Sequence, residues 1–366
     1  MSLTTHHQPT NAWASAAAAK LGESLDAAVR HGNVPGGVVV IGQVATSPKT
    51  AHPNGGRKPN AERIVLSRGV VAAECGDTRP DADTLYDMAS LTKVTATWLL
   101  VGRAVRDGLL DLDAPLSSYL PKAPAPGRDL TIRHLMSHTS GLLPNTGLAR
   151  YSHSSRPLID HLCAEPLISE PGARHRYIDR GFILLGLLLP ILLGRPLHVL
   201  AAELWRDIGL TSTVYGPLAR SPRVAPTEAR LLGAPRTWGT PHDPSAALLG
   251  GVAGHAGVFS TASDLATFAE HLLASTGPDS VWFEESRRPL VDVEPGLQRG
   301  LAWIVTADGR AAYHHGYTGT SLYLSPATGR YIVLCTNAVY HGWDRARLTP
   351  TRSLALLTIT SSDPDG

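Results

Sequence analysis

The chain has 366 residues, 43% of them hydrophobic and 17% charged, a globular composition with room for a large core. A formal net charge of +2 without any Lys/Arg run argues against a nucleic-acid partner. Three widely separated cysteines, Cys75, Cys163 and Cys335, offer neither a disulfide framework nor metal-ligand spacing, which fits a reducing compartment.

Residues 1–20 lack a charged region followed by an apolar one, so no signal peptide is read and a cytoplasmic location is expected. Residues 11–31 form an amphipathic helix; a Pro-Gly-Gly turn and a strand over 38–42 follow. Residues 46–60, rich in Pro, Gly, Lys and Asn, read as a flexible loop. Residues 64–69 and 70–74 read as the two strands of a hairpin. A helix-rich stretch begins at Ser90. Within it lie a short helix over 130–138 with a Thr at its start, helices over 180–193 and 197–207, and a long proline-rich loop over 216–243. Residues 263–273 form a helix with Ser263 as N-cap. Strands over 300–306, 311–315, 320–324 and 331–335 come next, and a helix over 347–359 closes the chain. The longest apolar stretch, 182–193, is broken by Gly186 and Pro190 and is too short to span a membrane. The order predicts one α/β domain built from both chain ends, residues 1–89 plus 255–366, with a mainly helical domain over 90–254 inserted.

Chemistry concentrates at Ser90 and Lys93. Lysine is scarce, and only here does a lysine follow a serine by three positions. The apolar run after Lys93 reads as a helix, where residues three apart share a face. The Lys93 amine then lies beside the Ser90 hydroxyl, at a helix start whose dipole favours a developing alkoxide. A serine nucleophile needs a partner to take its proton, and a desolvated lysine can serve. The bland alternative is a helix start with an exposed lysine.

Three further segments can complete such a site. Tyr177 and Asp179, two apart on a turn before an apolar helix, can face one side; the alternative is an ordinary aromatic and an N-cap aspartate. Small residues follow His314 and His315 in His-His-Gly-Tyr-Thr-Gly-Thr, allowing a backbone N–H there to pair with that of Ser90 as an oxyanion hole. The glycine-rich segment 250–260 is not a phosphate loop, since no Gly-Lys-Ser/Thr follows. His134 and His138 have a zinc-compatible spacing, but no glutamate directly follows His134 and no third ligand stands nearby, so no metal or other cofactor is expected.

In this order the motifs resemble those of the serine β-lactamase and penicillin-binding-protein superfamily, most closely its class C-like and esterase-like branch. Ser90-Leu91-Thr92-Lys93 resembles the first motif, Ser-x-x-Lys. Tyr177-Ile178-Asp179 resembles the second, Tyr-x-Asn. His314-His315-Gly316 stands in the place of Lys-Thr-Gly. Supporting segments lie at 108–115, 135–142, 254–261 and 319–322, and the similarity runs from about Val34 to Asn337. The resemblance implies an antiparallel sheet flanked by helices plus a helical domain, with the site between them. It implies a Ser90 acyl-enzyme, acid and base roles shared by Lys93 and Tyr177, and an oxyanion hole from the N–H groups of Ser90 and Tyr317. Asp179, His314, His315 and Gly316 would contact substrate.

Two departures bear on substrate. No lysine follows Lys122, so the lysine that usually holds a substrate carboxylate is missing, and His314 would be only partly charged near pH 7. Asp179 in place of Asn favours a protonated Lys93 and shifts the base role toward Tyr177, or toward a Lys-Tyr pair acting as a unit. The expectation is a serine hydrolase acting on a small-molecule ester or amide. An acyltransferase with the same acyl-enzyme and a catalytically silent binding protein are the alternatives. Oligomeric state and substrate are not read.

Overall fold

The protein is described from a computed structural model covering residues 12–45, 62–144, 147–231, 233–274, 277–342 and 344–361. The expected loop over 46–60 lies outside the described residues. Ten α-helices and eleven strands are found among them: α1 (Ala12–Arg30), β1 (Gly36–Gln43), β2 (Glu62–Gly69), β3 (Tyr86–Asp87), α2 (Trp98–Arg106), α3 (Ile132–Met136), α4 (Leu158–Ala164), α5 (Arg180–Leu193), α6 (Leu197–Ile208), β4 (Val214–Tyr215), α7 (Pro244–Leu248), β5 (Val258–Ser260), α8 (Ala262–Ala274), α9 (Pro278–Ser286), β6 (Val291–Glu294), β7 (Leu297–Arg299), β8 (Ile304–Thr306), β9 (Ala312–His315), β10 (Ser321–Ser325), β11 (Arg330–Thr336) and α10 (Thr349–Thr360).

The main sheet has eight strands in the order β2-β1-β11-β10-β9-β8-β7-β6, and every pairing is antiparallel. Its centre is a period-two pattern with both faces buried. Val39, Ile41, Tyr323, Ile332 and Leu334 pack with Trp13, Leu21 and Leu25 of α1 and Ala355 and Ile359 of α10. Val38, Val40, Leu322, Leu324 and Val333 face the other way, toward Leu265, Phe268 and Leu272 of α8 and the helices beyond. Successive side chains on a strand point to opposite faces, so one run of valines serves two cores. A small sheet, β3-β5-β4, ties the segment before Ser90 to the glycine-rich segment.

Several expectations need correction. Residues 70–74 are not a strand; β2 pairs with β1 instead, and a short 3-10 turn over Ala73–Cys75 follows. The expected strand over 300–306 is only Ile304–Thr306, because Ala302 adopts a positive φ of 72° and turns the chain. The cap of α8 is Thr261, whose hydroxyl accepts from the Asp264 N–H at 3.1 Å, while Ser263 Oγ donates to Asp83.

The helix that carries Lys93 begins as a 3-10 turn over Ala89–Leu91, widens into a π-helical stretch over Lys93–Thr97, and becomes α2. Such widened turns recur at functional sites. Aromatic packing anchors this helix. Trp98 stacks on Trp282 at 6.1 Å and meets Trp303 edge-on at 5.4 Å, and its indole N–H donates to Ser286 Oγ at 2.8 Å. Gly102 leaves the room that the Trp282 indole fills. The helix is thereby locked against α9 and the start of β8.

Candidate active site

Ser90 is presented by a strained turn. Ala89 just before it has φ 44°, a left-handed conformation costly for a residue with a Cβ. Asp87 holds that turn: one carboxylate oxygen accepts from the Ala89 N–H at 2.8 Å and the other from the His242 N–H at 2.6 Å. Burial pushes the Asp87 carboxyl above its usual range, against the two backbone N–H groups that favour its charge.

Lys93 is fully buried, and its amine has three partners: Ser90 Oγ at 2.8 Å, Asp179 Oδ1 at 2.7 Å and the His255 carbonyl at 3.3 Å. Three acceptors match the three N–H bonds of an ammonium. Burial alone would lower the Lys93 pKa, but the Asp179 carboxylate and then the Tyr177 phenol outweigh it, and the net shift is upward. The desolvated, neutral lysine considered from the sequence is therefore not the resting state. The effect of Asp179 read from the motif is. Lys93 Nζ also lies 5.0 Å from the Tyr177 ring centroid and 5.7 Å from that of Phe182. Tyr177 and Asp179 thus do face one side, and Asp179 makes no side-chain cap to α5.

The third motif runs off the end of β9. Thr318 Oγ1 donates to the Asp87 carbonyl at 2.6 Å and Thr320 Oγ1 to the Met88 carbonyl at 3.2 Å, fastening the turn over 316–320 to the segment that carries Ser90. A side chain at Gly316 would collide with Thr320 Oγ1 and the Met88 carbonyl, so this approach requires glycine. Tyr317 follows directly, its ring stacked on His242 at 5.2 Å. His314 is buried, and its ring centroid lies 6.3 Å from that of Tyr177. His314 Nδ1–H donates to the His315 carbonyl at 3.0 Å, while Nε2 has no partner among the described residues. Burial, then Arg299 and Lys93, push its pKa well below 6.5, so His314 is neutral rather than partly charged. His315 is not at the site. It alternates to the opposite face of β9, where Nε2 meets Tyr323 Oη at 2.9 Å beside α10.

Four residues at the site were not singled out by sequence reading. His255 gives its carbonyl to Lys93 and pairs its buried ring, through Nε2, with Asp243 Oδ1 at 2.8 Å. Asp243 also caps α7 at the Ala246 N–H, and despite burial these contacts and Lys93 bring its pKa down to about 2. Arg299 is buried beside the Tyr177 ring at 5.6 Å. It donates to the Ala302 carbonyl at 2.8 Å and to His175 Nε2 at 3.4 Å, and has no carboxylate partner among the described residues. Burial brings the Arg299 pKa down to about 10. His175 is held down to about 4 by burial and by Arg299. His138, known from the sequence only as half of a zinc-like spacing, lies 4.4 Å from the Tyr177 ring. It lies beyond the end of α3, while His134 Nδ1 accepts from the Thr131 N–H. Among the described residues no three His, Cys, Asp or Glu side chains cluster in a way that could hold a metal ion.

A serine in contact with a buried, carboxylate-paired lysine, at a helix start in a fold whose antiparallel sheet is flanked by helices, defines a serine-hydrolase-type enzyme. The beta-lactamase family matches residues 28–357, and the chain belongs to that family. A putative D-alanyl-D-alanine carboxypeptidase of Escherichia coli (strain K12) is 30% identical over 299 residues, 69% of each chain. Two solved structures share the fold. EstCE1, described as a hydrolase with promiscuous acyltransferase activity, has a TM-score of 0.72 at 21% identity and covers 95% of this chain and 100% of its own. A beta-lactamase/D-alanine carboxypeptidase from Pseudomonas syringae has a TM-score of 0.72 at 19% identity, covering 93% and 98%.

Proposed function

We propose that the protein hydrolyses a carboxylic ester or amide through an acyl-enzyme on Ser90. The observation that carries this reading is the Ser90–Lys93–Asp179 chain of contacts, with the Tyr177 phenol against the same amine. The reacting form is the Lys93–Tyr177 pair after it has released one proton to solvent; Ser90 Oγ then bonds to the substrate carbonyl carbon, and the serine proton refills that place on the pair. Collapse breaks the bond to the leaving alcohol or amine, which takes that proton from Tyr177. The N–H groups of Ser90 and Tyr317 face the carbonyl oxygen in this scheme. Water then adds to the acyl carbon and releases the acid, regenerating Ser90. Because Lys93 rests as an ammonium, it serves as a charge that steers the proton, and Tyr177 as the group that carries it.

A second reading, transfer of the acyl group to an alcohol or amine, draws on the described activity of EstCE1. Both are tested by intact-mass spectrometry of wild type and Ser90→Ala with p-nitrophenyl acetate, a D-alanyl-D-alanine peptide and a penicillin, with and without an amine acceptor. The expected result is an acetyl adduct that Ser90→Ala abolishes and water removes. Faster loss to the acceptor than to water would favour transfer. Turnover of the peptide would assign carboxypeptidase activity, and a long-lived penicillin adduct would place the site among penicillin-binding ones. No adduct from any donor would overturn the proposal and leave a silent binding protein.

A further inference from the structure

The segment 135–142 has no part in the chemistry above, yet its histidine is placed at a cost. Helix α3 ends in a left-handed turn: the Thr139 N–H donates to the His134 carbonyl at 3.0 Å, and His138, between Ser137 and Thr139, has φ 58°. That position is the usual place of glycine, sometimes asparagine, because a Cβ is disfavoured there. The chain keeps an imidazole instead, and buries it.

What the imidazole touches explains its presence. The His138 carbonyl accepts from the Arg176 N–H at 2.9 Å, and His138 Nδ1 accepts from the Ile178 N–H at 3.3 Å. The residues on either side of Tyr177 are thus both fastened to His138. Its ring lies 4.4 Å from the Tyr177 ring at an interplanar angle of 36°, and 5.4 Å from Phe182, which in turn lies against Lys93. Residues 171–179 belong to no helix or strand, so no ladder of their own sets the position of the phenol. With Nδ1 as acceptor, the ring proton is on Nε2, which is buried without a partner among the described residues. The ring therefore gives up one hydrogen bond to make the other to the Tyr177 segment.

We propose that His138 is the positioning residue of Tyr177: its carbonyl, Nδ1 and ring face form a template that sets the phenol against Lys93. The proposal rests on the reading of Tyr177 as the proton carrier. Two variants separate the side chain from the backbone. His138→Gly suits the left-handed turn, so the end of α3 and the carbonyl are kept while Nδ1 and the ring face are removed. His138→Asn also suits that turn and offers an oxygen toward the Ile178 N–H.

Hydrogen exchange over peptides covering residues 171–179 and single-turnover acetylation of Ser90 are measured on both, with thermal midpoints as a control for folding. In His138→Gly the Ile178 amide, which loses its Nδ1 acceptor, is expected to exchange about 10-fold faster and acetylation to slow by roughly 100-fold, the scale of a small misplacement of a reacting group. In His138→Asn both are expected to recover in part. Unchanged exchange over 171–179 in both variants would overturn the proposal, as would wild-type acetylation in His138→Gly. Tyr177→Phe is the parallel control. If it acetylates as wild type does, the proton-carrier reading fails, and exchange alone still decides whether His138 holds the segment.

Discussion

Two buried cations, Lys93 and Arg299, lie against the Tyr177 ring, and their surroundings differ. Lys93 has a carboxylate at 2.7 Å and three acceptors for three N–H bonds, and its pKa is raised. Arg299 has a carbonyl and a neutral imidazole, no carboxylate among the described residues, and a pKa brought down to about 10. Burial opposes both charges; the counter-ion decides which one it wins against. The paired cation is therefore a stable part of the fold that holds Ser90, whereas the unpaired one is held at a cost. Its field reaches His138, His175 and His314, each of whose pKa values it lowers after burial has done so.

The sharpest way to break this contrast is to remove each cation in turn. Lys93→Met leaves Asp179 without its partner and Ser90 without its contact. Acylation is expected to fall by at least about 10³-fold, and stability by about 2 kcal/mol, discounted because Asp179 is partly exposed. For Arg299 the drop from 12.5 to about 10 in the fully buried guanidinium corresponds to roughly 3 kcal/mol against the charged form. Arg299→Met is therefore expected to be as stable as wild type at pH 7, or more so, by urea unfolding. A loss of stability equal to that of Lys93→Met would end the distinction. Tyr177→Phe comes next: it keeps the ring that His138 and both cations pack on and removes only the hydroxyl. Acylation is expected to slow by about 10²-fold with little change in thermal midpoint.

The neutral histidines make a separate prediction about pH. His138 and His314 have folded pKa values well below 6.5, so their contribution is fully present above the unfolded pKa. As pH falls below about 6.5 the unfolded chain takes up protons that the folded one refuses, and stability is lost. Two such groups give a slope of as much as roughly 3 kcal/mol per pH unit. Lys93 acts at the other end: its raised pKa gives stability that is present below pH 10.5 and fades as pH climbs through the higher folded value. Urea midpoints measured from pH 4 to pH 7 would show the acid slope, and Arg299→Met should flatten it. A profile that is flat in wild type would mean these rings are not buried neutral.

What was legible in the sequence was whatever depends on short spacing. Ser90 and Lys93 share a helix face, and Tyr177 and Asp179 share one side of a turn; both placements follow from local geometry. The strands expected over 311–315, 320–324 and 331–335 lie within a residue or so of β9, β10 and β11, and α5 covers the apolar run 182–193. The β6–β7 hairpin was missed although Pro295-Gly296 marks its turn, because its strands are short and half exposed. His315 was misplaced because period two was not applied across the His-His pair. Arg299 was illegible for a different reason. One arginine among many carries no local sign of being buried, and its neighbours Tyr177 and His175 come from one segment far away in the chain, His175 being 124 residues from it. The same holds for His255, whose role runs through its backbone carbonyl, an atom every residue has.

The Asp243–His255 pair offers the smallest effect and the finest test of how Lys93 is held. Asp243 caps α7 and binds the ring of the residue whose carbonyl takes the third N–H of Lys93, so it acts on the ammonium at one remove. A folded pKa of about 2 against an ordinary 3.8 means its contribution is present above pH 3.8 and lost as pH falls toward 2. Asp243→Asn keeps an oxygen for the cap and for His255 but removes the charge. The expected loss is about 2 kcal/mol at pH 7 and roughly 10-fold in acylation. If charge alone matters, the loss in stability should shrink with acid and vanish near pH 2. If geometry matters, the slower acylation should persist at every pH where the fold is intact, because His255 would still be loosened over Lys93. Rates measured from pH 5 to pH 9 would separate the two. An acylation rate equal to wild type throughout would mean that the His255 carbonyl holds its place without Asp243, and that Ser90 and Asp179 alone fix the lysine.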